Sequence, residues 1–296
     1  MEVNFASMEV NSRSKILITA IAPLIWGSTY YVTRHFLPMD YPLTGSAIRA
    51  LPAGLLLLLF TRQLPQGIWW VKTLVISSLT ISGFFVLVYL AGSRLPSSIA
   101  ALIMALSPIA TILMARLLLN ERITTPKLMG GILGIIGVAL LLGGFSGTLD
   151  VLGLVASACA MLTSALGFVL TRRWQPPVGP ATFTAWQLTA GGLVLFPLAL
   201  VLEGPLPPQE PVTYAGYAYI IIFASVVAYL CWFSGLAHLQ ASTVSIIGLL
   251  NPLTGLLLGI LLAGESLTLF QGLGCLLILT GIMWGTGTLR LSRTRA

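Results

Sequence analysis

Ten runs of about twenty apolar residues follow one another along this chain, at roughly 16–33, 43–60, 72–92, 97–119, 127–144, 149–170, 181–202, 214–236, 242–263 and 267–289. A helix needs about 20 apolar residues to cross the hydrocarbon of a bilayer, so each run predicts one transmembrane helix. Helices are what the backbone permits there, because every N–H and C=O in lipid must be paired within its own segment. Hydrophobic residues make up 57% of the chain and charged residues 8%, against about 25% charged in a soluble domain. The links are short, the longest being the proline-rich stretch 203–210, and none has room for a soluble domain. The expected fold is an all-α polytopic membrane protein.

The ten runs are not independent. Leu106-Ser107-Pro108 through Asn120-Glu121-Arg122-Ile123-Thr124 returns as Leu250-Asn251-Pro252 through Gly264-Glu265-Ser266-Leu267-Thr268. Residues 94–138 set against 238–282 give about 13 identities in 45 ungapped places, among them Gly130/Gly274 and Gly137/Gly281. A weaker match joins Thr33-Arg34 to Thr171-Arg172, Arg49 to Gln187 and Gly54-Leu55 to Gly192-Leu193. The expected organisation is a tail at 1–15, a five-helix repeat at 16–144, a second at 149–289 and a basic tail at 290–296. Five is odd, so the second repeat enters the membrane the other way up. Two inverted halves point to a transporter with its substrate path between them, because like halves can exchange conformations.

Charge orients the bundle. With both termini in the cytoplasm, twelve Lys and Arg fall on inner loops and ends, and only Arg34 and Arg94 fall outside. That bias follows the positive-inside rule. It also accounts for the net charge of +7 without a nucleic-acid partner, since the basic residues are scattered over span ends. The N-terminal run has no A-x-A cleavage site and reads as an uncleaved first span. Cys159, Cys231 and Cys275 lie singly in apolar runs, which suggests packing and neither a disulfide nor a metal site. No cofactor is expected.

The motifs carry a family resemblance. Ile25-Trp26-Gly27-Ser28 resembles the W-G-S/T motif that opens the first repeat of EamA-type proteins in the drug/metabolite transporter superfamily. The stretch 106–124, with its second copy at 250–268, resembles their l-x-P … g/n-E-r-l-t motif. The resemblance covers about residues 16–289. It implies ten helices, an inverted five-plus-five repeat, a cavity lined by spans 1, 3, 4, 6, 8 and 9, and export of small metabolites. Within the superfamily the chain is similar to bacterial exporters of aromatic and other amino acids. The second repeat departs from the opening motif, with Ser164-Ala165-Leu166 facing Trp26-Gly27-Ser28.

Candidate site residues follow from depth. No Asp or Glu lies in the middle third of a span, whereas proton-coupled pumps keep carboxylates or histidines there. His35 and His238 sit at span boundaries. Movement down a gradient, without strong ion coupling, is therefore expected. Arg49 is the one charge within a span. Either it attracts a substrate carboxylate, or it is structural and bonds free carbonyls. Pro108 and Pro252 should each kink a span and free the carbonyl four residues earlier, Met104 and Gly248, which makes them candidate gates. Aromatics near mid-depth are Trp26, Tyr30, Phe84, Phe85, Tyr89, Phe168, Trp186, Tyr229 and Trp232. Nearby polar groups are Ser28, Ser78, Ser82, Ser107, Thr163, Ser164, Gln187 and Asn251. Rings around a wet cavity would suit planar side chains and organic cations, although packing or lipid contact explains many such rings equally well. The glycines of spans five and ten read as a packing scaffold or a dimer face.

An enzyme is not expected. Gly144-Phe145-Ser146-Gly147 matches the motif of intramembrane serine proteases over four residues, but His238 falls on the face opposite Ser146, and His35, on the same side, sits at a loop boundary. A P-loop and an H-E-x-x-H motif are both lacking. The expected partners are a small solute and lipid, with the protein a monomer or weak homodimer in the inner membrane of a bacterium. The alternatives are a passive channel or a lipid translocator, and after them an intramembrane hydrolase.

Overall fold

The structure, a computed structural model, describes residues 5–95, 97–143, 150–263 and 268–288, without the side chains of 5–12, Tyr30, Ser97, Ser98 and Ala263. The described residues form fourteen α-helical stretches and no strand. Six are whole spans: α1 (Phe5–Phe36), α2 (Pro42–Thr61), α7 (Thr125–Leu142), α8 (Val151–Trp174), α9 (Pro180–Leu202) and α14 (Leu269–Gly285). Span 3 is α3 (Trp69–Ser77) and α4 (Gly83–Gly92), joined by a π-helical segment at Ser78–Ser82. Span 4 is α5 (Ser97–Met104) and α6 (Ser107–Leu119). Span 8 is α10 (Pro211–Ile221) and α11 (Ala228–His238), joined by a second π segment at Ile222–Val227. Span 9 is α12 (Ala241–Ile247) and α13 (Leu250–Ala263), and span 10 is α14 (Leu269–Gly285). Among the described residues, nine spans are long and apolar enough to cross a bilayer, and the 17-residue α14 completes ten. After ten crossings the start of α1 and the end of α14 lie on one face, here the terminal face, opposite the far face.

Local chemistry sets the boundaries. Pro42, Pro180 and Pro211 open their helices, where a missing N–H costs nothing. Asp150 Oδ1 caps α8 by accepting the Gly153 N–H at 2.8 Å, and Thr268 and Gln271 form a capping box on α14. Outward-facing side chains are apolar: Leu59, Phe60, Leu117 and Val201 are 71–81% exposed. Such a surface is stable in lipid and not in water.

With lipid outside, apolar burial gives little drive for helix association, so packing depends on close backbone approach. Two antiparallel pairs show this. In α2 and α9, a methyl built on Gly192 would lie 2.6 Å from the Leu51 backbone, and one on Gly54 would overlap Thr189. In α7 and α14, a methyl on Gly137 would lie 2.7 Å from the Gly274 carbonyl, and one on Gly281 2.6 Å from that of Gly130. The glycines of spans five and ten thus face each other within one chain. The dimer-face reading of them is corrected to scaffold.

The two broken spans are not packed alike. The terminal-face halves α6 and α12 pack on each other, while the far-face halves α5 and α13 make at most marginal contact. Six of the seven residues of α12 are buried, and none of the described side chains of α13 is. Spans 4 and 9 thus meet on the terminal face and diverge towards the far face.

The prolines act differently from the expected mid-helix kink. Each span breaks completely, at Ala105-Leu106 and at Gly248-Leu249, and the proline lies just inside the following helix. The Gly248 carbonyl, expected to be free, accepts the Asn251 N–H at 3.1 Å. In span 4 the Leu106 carbonyl accepts from both Ile109 and Ala110, at 3.0 and 3.2 Å. A 3₁₀-type turn at each break takes up these backbone groups.

Candidate functional site

The opening motif of α1 can be explained residue by residue. Trp26 Nε1 donates to the Ala224 carbonyl at 2.9 Å. Ala224 lies in the π segment of span 8, where the widened turn leaves carbonyls outside the ordinary ladder. Gly27 lets α1 lie against α13: an added methyl would fall on the Asn251 carbonyl and 2.5 Å from Thr254 Cβ. Ser28 Oγ donates to the Ile25 carbonyl at 2.6 Å and shares a 2.5 Å hydrogen bond with the Tyr219 hydroxyl. One turn of α1 thus holds span 8 and span 9 together.

Arg49 completes this junction. Its Nη2 donates to the same Ala224 carbonyl at 3.1 Å, its Nε to Ser225 Oγ at 3.4 Å, and its Cζ lies 5.1 Å over the Phe85 ring. The bonding to a freed carbonyl is the structural role weighed for this residue. No carboxylate pairs with it: the ion pairs among the described residues are Arg94–Asp150 and Lys127–Glu121. A guanidinium half-buried at this depth keeps an uncompensated charge.

Four of the expected rings meet. Trp26 lies 5.2 Å from both Tyr229 and Trp232, and Trp232 lies 5.3 Å from Phe168. These rings come from spans 1, 6 and 8, and Phe85 of span 3 adjoins through Arg49. Two polar atoms here are buried without a partner among the described residues, the Trp232 Nε1–H and the Asn251 Oδ1. Trp232 packs on Gly248 and Trp26, and Asn251 lies against Gly27. One donor and one acceptor thus lack partners beside the same turn of α1. Buried polar groups are normally paired, so such exceptions mark places where a ligand or water belongs.

Other expected residues stand apart. Trp186 is on the terminal side, donating from Nε1 to the Gln63 carbonyl at 2.6 Å and packing 6.4 Å from Trp69. Its membership of the site is corrected to a loop anchor. Tyr89 is 40% exposed and makes no ring contact with the cluster, while Phe84 packs 5.5 Å from Phe85. Thr163 and Ser164 donate to Ala160 and Met161 in their own helix. Ser78 and Ser82 lie in the π segment of span 3, where Ser82 is buried and unpaired, and Ser107 lies at the break of span 4. Gln187, the counterpart of Arg49, is completely buried with both amide atoms unpaired among the described residues. The side chain of Tyr30, Glu265 and the Gly144–Gly147 motif lie outside the described residues.

The sequence reading missed the two π segments and the partners of Glu121. Ser78 and Ile222 differ by 144, the repeat offset of the proline motifs, so the two segments occupy matching places. An extra residue in a helical turn leaves no mark on hydropathy. Glu121 stands in the repeated motif, but its partners Ala241 and Ser242 lie more than a hundred residues along the chain.

Known proteins fit this arrangement. The sequence profile of the EamA-like transporter family matches twice, at residues 13–143 and 151–286. Protein PecM of Dickeya dadantii is 41% identical over 265 residues, covering 88% of this chain and 89% of PecM. The uncharacterized inner membrane transporter YedA of Escherichia coli K12 is 27% identical, over 84% of this chain and 83% of its own. The uncharacterized transporter YyaM of Bacillus subtilis is 26% identical over 90% and 92%. A protein of known crystal structure shares the fold with a TM-score of 0.79 at 20% identity, over 93% of this chain and 98% of its own. Two family repeats on a ten-span helical bundle, joined through the Trp26-Gly27-Ser28 turn, make this chain a multi-pass membrane transporter that belongs to the EamA-like transporter family.

Proposed function

We propose that the protein exports small metabolites across the inner membrane of a bacterium, foremost aromatic and other neutral amino acids, with toxic organic cations as further cargo. The observation that carries this reading is the cluster of Trp26, Phe168, Tyr229 and Trp232 around an unpaired N–H and an unpaired C=O, with Arg49 lacking a carboxylate partner nearby. An amino acid supplies the complements: a ring for stacking, an ammonium for the rings and the Asn251 oxygen, and a carboxylate for Arg49 or the Trp232 N–H.

The mechanism proposed is alternating access between two inverted repeats, residues 16–144 and 149–289, with both termini cytoplasmic. The antiparallel, reciprocal glycine contacts of α2 with α9 and of α7 with α14 support inversion. Pro108 and Pro252, beside the breaks of spans 4 and 9, are the proposed hinges. Transport follows the solute gradient without strong ion coupling, in keeping with the absence of carboxylates from the described aromatic cluster. No oligomer is required, and the protein is proposed to act as a monomer or weak homodimer. The test is counterflow into liposomes holding only this protein, screened over amino acids, amines and nucleosides. Saturable flux of aromatic amino acids that survives a proton ionophore is expected. Non-saturable flux would favour the second reading, a passive channel.

A further inference from the structure

Glu121 and Lys127 lie outside the aromatic cluster, in and beside the loop between α6 and α7. Each side chain is 10% exposed, and Nζ lies 3.9 Å from Oε2. Neither serves its own repeat alone. Glu121 Oε2 accepts from Ser242 Oγ at 2.6 Å, and Oε1 accepts the Ala241 N–H at 3.1 Å. Lys127 Nζ donates to Ser242 Oγ at 2.7 Å and to Gln240 Oε1. Ser242 therefore stands between the two, donating to the carboxylate and accepting from the ammonium. Gln240, Ala241 and Ser242 begin α12, the terminal-face half of span 9.

We propose that this cluster is the lock that holds the terminal face closed, and that it must come apart for that face to open. Three observations converge. The cluster ties the span 4–5 loop of one repeat to span 9 of the other. It lies where α6 and α12 pack, while α5 and α13 are parted at the far face. The cross-repeat ion pair of the far face, Arg94–Asp150, is 43% and 40% exposed, so solvent screens it and it is weak by comparison. Opening the terminal face withdraws the α12 N-terminus from Glu121 and Lys127, which exposes both charges to water, and hydration then replaces the hydrogen bonds lost to Gln240, Ala241 and Ser242. The lock is thus strong when dry and weak once wetted, which suits a two-state gate.

The inference rests on alternating access but not on the substrate, and its test uses no substrate. Cys159, Cys231 and Cys275 are replaced by alanine, and Ser107→Cys places a single thiol at the break of span 4. An impermeant maleimide is applied to each side of oriented proteoliposomes. The parent should label mainly from the far face. Glu121→Gln and, separately, Ser242→Ala should each shift the ratio of terminal-face to far-face labelling by about tenfold, the effect of losing one charge-assisted bond. Ser242→Ala removes a single oxygen and keeps the helix, so it tests the lock should Glu121→Gln fold poorly. A parent that labels mainly from the terminal face, or an unchanged ratio in folded Ser242→Ala protein, would overturn the proposal. Failure of counterflow with amino acids would instead count against the substrate reading.

Discussion

Replacing Arg49 with methionine removes a charge while keeping most of the side-chain volume. The lost bonds are the 3.1 Å contact to Ala224, the longer 3.4 Å contact to Ser225 and the position over Phe85. The first is charge-assisted and contributes about 1.5–3 kcal/mol, and the cation–π contact adds about 0.5–2 kcal/mol. Against this stands the cost of holding an arginine inside the membrane, about 2.5–3.5 kcal/mol on insertion scales. The Ala224 carbonyl is not left bare, because Trp26 still donates to it at 2.9 Å. The terms nearly cancel, so Arg49→Met should change stability by less than about 2 kcal/mol. Its effect on transport should be selective. If Arg49 receives the substrate carboxylate, an aromatic amino acid loses about 1.5–3 kcal/mol of binding, roughly a 10- to 150-fold weaker affinity. The corresponding amine, which has no carboxylate, should be unaffected. The assay compares saturable counterflow of the two solutes, with thermal unfolding in detergent as the control for folding. Equal losses for amino acid and amine, or none for either in a folded variant, would refute the carboxylate role and leave Arg49 as a brace for the π segment.

Gly27→Ala places a methyl on the Asn251 carbonyl and Thr254, and should lower stability by about 1–3 kcal/mol, read as a fall in unfolding temperature. Gln187→Leu should stabilise the observed state by about 1–3 kcal/mol, because two unpaired amide atoms leave a fully buried site; a fall in unfolding temperature would contradict the reading. Pro108→Ala and Pro252→Ala should bias labelling of the cavity in opposite directions, since the breaks lie in repeats proposed to be inverted. Unchanged labelling in both would reduce the prolines to packing features.

How much of this could be read early depended on the range of the interaction. The membrane demands about twenty apolar residues per crossing and pairs each backbone group locally, so the spans were legible from hydropathy alone. The double motif made the repeats legible, and Pro108 and Pro252 marked the broken spans within a few residues because proline acts on its own turn. The family also followed from short local patterns. Trp186 and Trp232 show where that legibility ends. Both are tryptophans inside apolar runs, yet one anchors the loop at Gln63 and the other meets Trp26 and Phe168. What separates them is the identity of neighbours more than a hundred residues away, and only packing supplies those neighbours. Arg49 on the Ala224 carbonyl and Glu121 on Ser242 are of the same kind. The π segments are local, yet they were hidden as well, because hydropathy records how apolar a turn is and not how wide it is. Sequence by itself determined the solvent, the number of crossings, the repeat and the family. Tertiary structure alone decided which rings meet, which carbonyl Arg49 bonds and on which face spans 4 and 9 pack, because those outcomes depend on contacts between spans that no local pattern encodes.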